Sequence, residues 1–476
     1  MKDFYDVVVI GAGIGGLAAG ALLAGKGFSV AVFEARPRPG GYCASFRRGG
    51  YAFDAALDAV SGCGEGGWLR RVLEKIGVEG EVEFVRLDPL RVDFFGEERI
   101  TIPGEMSALR ELLFGLAPRE KDGTAGLLKA MEGIYRTAMS TPPETLYAGD
   151  RPGGRVGPLS RYRRLSYKDL LDDFVSDARL RAVLSDRSAF MGLPPSRVSA
   201  LAMTIMFMTY AVGGGYRIKG GAERLTGALA SGLRKAGGEL HLKSPVTGIL
   251  SADGKVSGMS LAGRNIPARA VISAIDAGRA AALLGKETGP VSAPSVSFFL
   301  VYLGLRNSPP MPDSMGYYPG YDIEGTFADI GEDITSPRAS MEVVNYSNVS
   351  PGMARDGGAS VMLMTKAAYS YREDWKACKG REMDRLIALA ERTVLPGLKD
   401  RLVHAEAATP LTLERYTGNA KGAAFGWEQG VGNLRSSVDM GAPGLFLAGH
   451  WTYPGGGVES VAASGIIAAE KAAAVL

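Results

Sequence analysis

Three glycines, at positions 11, 13 and 16, stand between a β-branched run and an alanine- and leucine-rich stretch, and their spacing suits them to hold a charged ligand. Asp6 to Ile10 reads DVVVI, a short buried strand, and the residues after it read as a helix. Gly11 permits a tight turn and Gly13 lets the backbone approach a pyrophosphate. Gly16 lets the helix pack close to the strand, while Ile14 and Gly15 stand where free N–H groups at the helix start face the anion. A second apolar run, Phe28 to Phe33, ends at Glu34, close to the roughly 20-residue offset at which an acidic side chain accepts ribose hydroxyls. A carboxylate there also repels a 2′-phosphate, which argues against NADP. Ala35, Arg36 and the pair Gly40-Gly41 follow, and the glycines let the chain run along a cofactor without side-chain obstruction.

A second glycine cluster closes the chain. Leu445 to Ala448 reads as a buried strand, and Gly449-His450-Trp451-Thr452-Tyr453-Pro454-Gly455-Gly456-Gly457-Val458 as a loop entering a helix of small residues. Gly456, Gly457 and Val458 present bare N–H groups and the positive end of the helix dipole, which suits the negative charge that a reduced flavin carries near N1 and O2. Both ends of one chain gripping one ligand point to a flavin. Candidates to carry a proton beside it are Tyr453 and His450, each of which also reads as purely structural. Trp451 is expected to pack on the cofactor, and Tyr416 with Trp427 to face the ring across a substrate cavity. No second strand-GxGxxG-helix unit occurs, so electrons are expected to pass through a diffusing partner such as a quinone or oxygen.

The elements that position these residues must come from a chain of 476 residues, more than one core usually supports, so two domains are expected. The composition, 46% hydrophobic and 22% charged, is that of an ordinary globular protein, and a net charge of +3 makes no case for nucleic acid. Cys43, Cys63 and Cys378 form no CxxC pair, which removes a dithiol redox centre and a disulfide scaffold and fits a reducing, cytoplasmic setting. The histidines, His241, His404 and His450, are too scattered for a metal site. Val198 to Val212 is the longest apolar stretch and falls short of the roughly 20 residues that cross a bilayer. Its Met203, Met206 and Met208 are read either as the lining of an adaptable apolar pocket or as core. Arg155, Arg161, Arg163 and Arg164, within the basic segment Arg151 to Lys168, are candidates for contact with anionic lipid.

The pattern predicts an α/β fold in which a Rossmann-like nucleotide domain (1–80, 213–290, 425–476) is interleaved with an α+β substrate domain of mixed sheet and helices (81–212, 291–424). Tyr167 to Ser185 carries apolar residues at helical spacing, Ala222 to Ala236 reads as a helix, and Ala252 to Lys255 as a hairpin turn.

The motifs GAGIGGLAAG, EARPRPGG, GYAFD, GGGYRIKGGAERLTGALA, VISAIDA, TPLTLERYTGNAKGAAFGW and LAGHWTYPGGGVESVAASG resemble those of the phytoene desaturase, carotene isomerase and retinol saturase group, within the wider family that includes the flavin amine oxidases. The resemblance spans nearly the whole chain. It implies FAD, with Val246 meeting the adenine through its backbone, Glu34 on the ribose, and Gly449 to Val458 around the pyrophosphate, ribityl chain and isoalloxazine edge. It further implies desaturation, saturation or isomerisation of a long apolar, isoprenoid-like substrate. The alternatives are an amine oxidase, which usually places a lysine near the flavin, and a prenyl- or lipid-binding protein of the same fold without catalysis. The chain departs from the pattern at His450, where an acid is common, at Ala56, where many relatives have glycine, and at Tyr42, where amine oxidases usually carry arginine.

Overall fold

A computed structural model describes residues 1–141, 159, 161–286, 293–355, 357–432 and 440–476. Its strands run in chain order as β1 Tyr5–Ile10, β2 Val30–Phe33, β3 Ser45–Arg48, β4 Tyr51–Asp54, β5 Phe84–Arg86, β6 Arg91–Phe95, β7 Glu98–Ile102, β8 Tyr216–Ile218 and β9 Glu239–His241. They continue as β10 Val246–Ala252, β11 Lys255–Leu261, β12 Arg264–Ser273, β13 Ser297–Leu305, β14 Ser314–Tyr318, β15 Met341–Asn345, β16 Ala359–Ala367, β17 Leu402–Ala408 and β18 Leu445–Leu447.

The β-branched runs pair with one another. β1 lies parallel between β2 and β12, with Val7 opposite both Val30 and Ala270. β9 extends this sheet beyond β2, β18 pairs with the second half of β12, and the antiparallel β10–β11 hairpin pairs with its first half. The Ile14–Gly25 helix lies against this sheet, and eleven of its twelve residues are buried. A helix apolar all round must be covered on every side. Here the cover is β1 and β2, the Glu223–Lys235 helix and the last helix, Val458–Ala473. Small residues set the spacing: a Cβ on Gly465 would fall 2.2 Å from the Gly15 carbonyl oxygen, so the first and last helices touch through their backbones. The two ends of the chain are thereby fixed to each other.

The second sheet runs β17-β13-β16-β15-β14-β6-β7, antiparallel except at β14 and β6. Every residue of β13 and β16 is buried. One face of β13 (Phe299, Val301, Leu303, Leu305) packs with Trp375 of the Trp375–Thr393 helix, and the other (Phe298, Leu300, Tyr302) with Phe53 and Met364. A fully buried leucine in such a layer contributes about 1.5–3 kcal/mol. Arg91 on β6 bonds Asp93 at 2.7 Å and, across β14, Glu342 of β15 at 2.6 Å. Gly316 between them leaves room, since a Cβ there would meet the Arg91 guanidinium at 2.0 Å.

The helices Lys121–Ser140, Tyr167–Asp172, Ala178–Leu184 and Ala200–Gly213 share a third core. The periodic segment from Tyr167 to Ser185 is two short helices and not one. Ser166 caps the first, and Asp177 caps the second by accepting from Leu180 N–H, so local side-chain bonding interrupts the apolar period. Met203 and Met208 of the Ala200–Gly213 helix are fully buried in the core, whereas Met206 faces the cavity described below. Of the basic segment, Arg151 and Arg155 lie outside the described residues, and Arg161 pairs with Asp173 at 2.7 Å. No described helix is long and apolar enough to cross a membrane.

Candidate cofactor and substrate site

The glycine turn is built by backbone contacts that a side chain would obstruct. Gly11 adopts φ +97°, and Gly16 approaches so closely that a Cβ would sit 2.0 Å from the Gly11 carbonyl oxygen. Gly16 therefore shapes the turn from beneath and does not line the cavity. Gly13 differs: a Cβ there would meet no protein atom within 4 Å, so the space above it is open to a ligand. Gly40 N–H donates to Ala12 at 2.9 Å and lays the Gly40–Gly41 segment over Gly13. The Glu34 carboxylate accepts from Ala12 N–H at 2.8 Å and Arg36 N–H at 2.9 Å, which ties the second strand to the turn. Ser244 N–H donates to the Glu34 carbonyl and Lys243 N–H to that of Arg36, bringing Val246 beside them.

The far end of the chain arrives opposite. Gly449 N–H donates to Ser464 Oγ at 2.8 Å, and a Cβ on Gly15 would lie 2.9 Å from Gly449 N, so the last loop rests on the first helix. Both helices begin on glycine, Gly13 and Gly457, without a side-chain cap, and both N-termini open on the same space. By contrast Ser199, Asp276, Asp374 and Thr409 cap their own helices. Uncapped N–H groups of this kind suit an anion. The open space over Gly13, the Glu34 carboxylate and the two bare helix starts fit the pyrophosphate and ribose of a dinucleotide.

That space is one cavity of about 2240 Å³. Gly11, Gly13, Ile14, Gly15, Glu34, Ala35, Arg36, Gly40, Gly41 and Val246 line one part of it, and Gly449, His450, Tyr453, Gly456, Gly457 and Val458 another. Phe298, Tyr302 and Met364 of the second sheet form a wall, and Ala138, Met139, Phe190, Ile205 and Met206 an apolar end. Ligand pockets usually run to about 300–1,000 Å³, so this one has room for a dinucleotide and a second long ligand together.

The aromatic expectations change. Trp427 does not line the cavity among the described residues. It meets Trp451 edge-on at 4.8 Å, and its Nε1–H donates to the Trp451 carbonyl. Trp451 itself lines the cavity and bonds Asn419 at 2.8 Å. Tyr416 stands 58% exposed at the rim rather than facing a ring across the cavity. Sequence reasoning missed the wall of Phe298, Tyr302 and Met364, because strands buried on both faces carry no alternation to read.

His450 packs against Trp451 and Tyr42, with ring centroids 5.4 and 6.0 Å away. Burial lowers its pKa to about 4, outweighing the opposite effect of the Ala424 backbone, so the imidazole is neutral near pH 7. Tyr42 donates to the Gly422 and Ala423 carbonyls, and its burial pushes the phenol up to about 12. Among the described residues the lysines lining the cavity are Lys376 and Lys379, near its rim. The buried Lys366 of β16 bonds Ser340 and Thr326 and does not reach it.

Comparison with known proteins agrees with this geometry. Residues 14–473 match the family described as flavin containing amine oxidoreductase. The zeta-carotene-forming phytoene desaturase of Myxococcus xanthus is 27% identical over 98% of this chain and 93% of its own. The chloroplastic prolycopene isomerase of Daucus carota is 27% identical over 99% and 80%, and the all-trans-retinol 13,14-reductase of Danio rerio 26% identical over 94% and 83%. An oxidoreductase from Methanosarcina mazei superposes with a TM-score of 0.69 over 98% of this chain and 99% of its own, at 18% identity. The chain belongs to the flavin containing amine oxidoreductase family, and it is an oxidoreductase whose cofactor is FAD.

Proposed function

We propose that the protein acts on carbon–carbon bonds of a long, apolar, isoprenoid-like molecule, by desaturation, saturation or isomerisation. The observation that carries this reading is the single cavity that runs from the glycine cradle to the apolar end at Met139, Phe190 and Met206. The names of the desaturase, isomerase and reductase relatives support it.

FAD supplies hydride transfer at its N5 position. The chain's own residues do the rest. Gly13, Ile14, Gly15 and the Gly456–Val458 turn bind through backbone N–H groups, and Glu34 holds the ribose. Val246 meets the adenine. The Phe298–Tyr302–Met364 wall and the apolar end exclude water and align a chain of methyl-branched carbons along the cavity. His450, neutral and packed against aromatic rings, shapes the loop beside the flavin and is not a source of a proton near pH 7. Electrons enter or leave through a diffusing quinone, oxygen or similar acceptor, and the setting is cytoplasmic, with contact to a lipid surface as the route by which an apolar substrate arrives.

Anaerobic photoreduction of the holoprotein followed by addition of polyenes tests the reading. Reoxidation of the flavin by a polyene, or reduction of the oxidised form by its saturated partner, is expected. If amines alone reduce the flavin, the carbon–carbon assignment is wrong.

A further inference from the structure

One ionisable side chain inside the cavity has no part in the reading above. Glu459 stands in the first turn of the last helix, directly after Val458. Ser61 Oγ donates to its Oε2 at 2.9 Å. The carboxyl is seated over the bare Cα of Gly62, at φ +69°, where a Cβ would fall 2.5 Å from the Glu459 Cδ. The Glu459 charge reaches Cys63 on the same loop as Ser61, Tyr135 on the Lys121–Ser140 helix and Tyr210 on the Ala200–Gly213 helix, adding to the burial that raises their pKa values. Arg71, on the helix that follows that loop, lies instead over the Trp68 ring. Among the described residues no cation offsets the burial of Glu459.

We propose that Glu459 is the proton carrier of this site, the carboxyl that gives or takes the proton accompanying hydride transfer at the substrate's carbon–carbon bond. The proposal rests on the carbon–carbon reading. In the saturating direction one carbon would receive a hydride, which reduced FAD would supply when bound, the π bond opens, and the neighbouring carbon takes the Glu459 proton. The carboxylate left behind regains a proton from solvent. In desaturation the same two hydrogens would leave, one with its bonding pair as the hydride that FAD would accept when bound, the other as a proton to the Glu459 carboxylate, and the remaining pair becomes the π bond. Burial supports this role by raising the Glu459 pKa to about 7 against the smaller opposing effect of Ser61, so that both forms are populated near neutrality.

E459Q keeps the side chain's size and its bond to Ser61 and has no proton to exchange. Holo-E459Q is expected to stay yellow while reoxidation of its photoreduced flavin by a polyene falls about 100-fold or more. The inflection near pH 7 in the wild-type rate should disappear with it. Independently of turnover, the infrared band of a protonated carboxyl should titrate near pH 7 in the oxidised wild-type holoprotein and be missing from E459Q. S61A, which keeps the carboxyl and removes its donor, should move the inflection to higher pH, and it decides the matter if E459Q fails to fold. An unchanged rate and pH profile in E459Q, an infrared band that titrates in the ordinary carboxyl range, or an unmoved inflection in S61A overturns the proposal alone. If no polyene reoxidises even the wild-type flavin, the carbon–carbon reading falls, and this proposal with it.

Discussion

The two sides of the cavity are made from different materials. The nucleotide side is backbone: glycines at 11, 13, 15, 40, 456 and 457, with uncapped helix starts. The substrate side is side-chain volume, with Phe298, Tyr302 and Met364 projecting from a sheet and Phe190 and Met206 from the helical layer. Backbone positions admit or refuse a ligand outright, because one added carbon atom either collides or does not. Side-chain positions grade it, because a wall of apolar groups accepts many shapes at small differences in energy.

The sharpest way to break this contrast is within the glycine turn itself. G16V puts a carbon 2.0 Å from the Gly11 carbonyl oxygen, a backbone atom that cannot swing aside. A loss of at least about 3 kcal/mol in urea unfolding is expected, with little folded protein recovered. At Gly13 a Cβ meets no protein atom within 4 Å, so the G13V apoprotein should unfold within about 0.5 kcal/mol of the wild-type apoprotein. The valine would still occupy the pyrophosphate space, and the purified variant should be colourless. A G13V protein that remains fully yellow would show that the pyrophosphate lies elsewhere.

On the substrate side the effects should be smaller and graded. M206W fills the apolar end without touching the glycine cradle, so FAD content should stay at the wild-type level. Activity should shift toward shorter chains by roughly 10- to 100-fold in kcat/KM relative to long ones, the amount that a change of about 1–3 kcal/mol in an apolar pocket produces. Equal loss on every chain length would place Met206 away from the substrate's end.

The same division explains what the sequence made legible. The nucleotide side could be read because backbone chemistry demands glycine at fixed spacing, as at Gly11, Gly13 and Gly16 ahead of Glu34. The element order around it followed from short β-branched runs that pair in parallel. The wall of the cavity could not be read: β13 and β16 are buried on both faces, and the period-2 signal that would mark Phe298 and Tyr302 as inward-facing vanishes into a continuous apolar run. Aromatic type alone misplaced Trp427 and Tyr416, since one packs edge-on against Trp451 and the other lies at the rim. Glu459 left one unused trace, a lone charge in the first turn of a helix otherwise built of small and aliphatic residues as far as Ala469.

The smallest expected effect concerns the loop where the two sides meet. His450 titrates at about 4 in the folded chain against 6.5 when exposed, so between those values the unfolded chain binds more protons. Its contribution to stability is therefore complete above pH 6.5 and is lost as the pH falls toward about 4. Glu459 acts in the opposite sense, because its raised pKa makes stability decline as pH rises from 4.5 to about 7. The two slopes partly cancel in the wild-type protein, and only single variants separate them. In apoprotein, H450Q should gain a few degrees in Tm relative to wild type as the pH falls from 6.5 toward 4, because only the Glu459 slope remains, and E459Q should gain relative to wild type as the pH rises from 4.5 toward 7. An H450Q profile parallel to wild type down to pH 4 would mean that the imidazole is already solvated in the fold, and that the loop between Gly449 and Gly457 is held by its backbone alone.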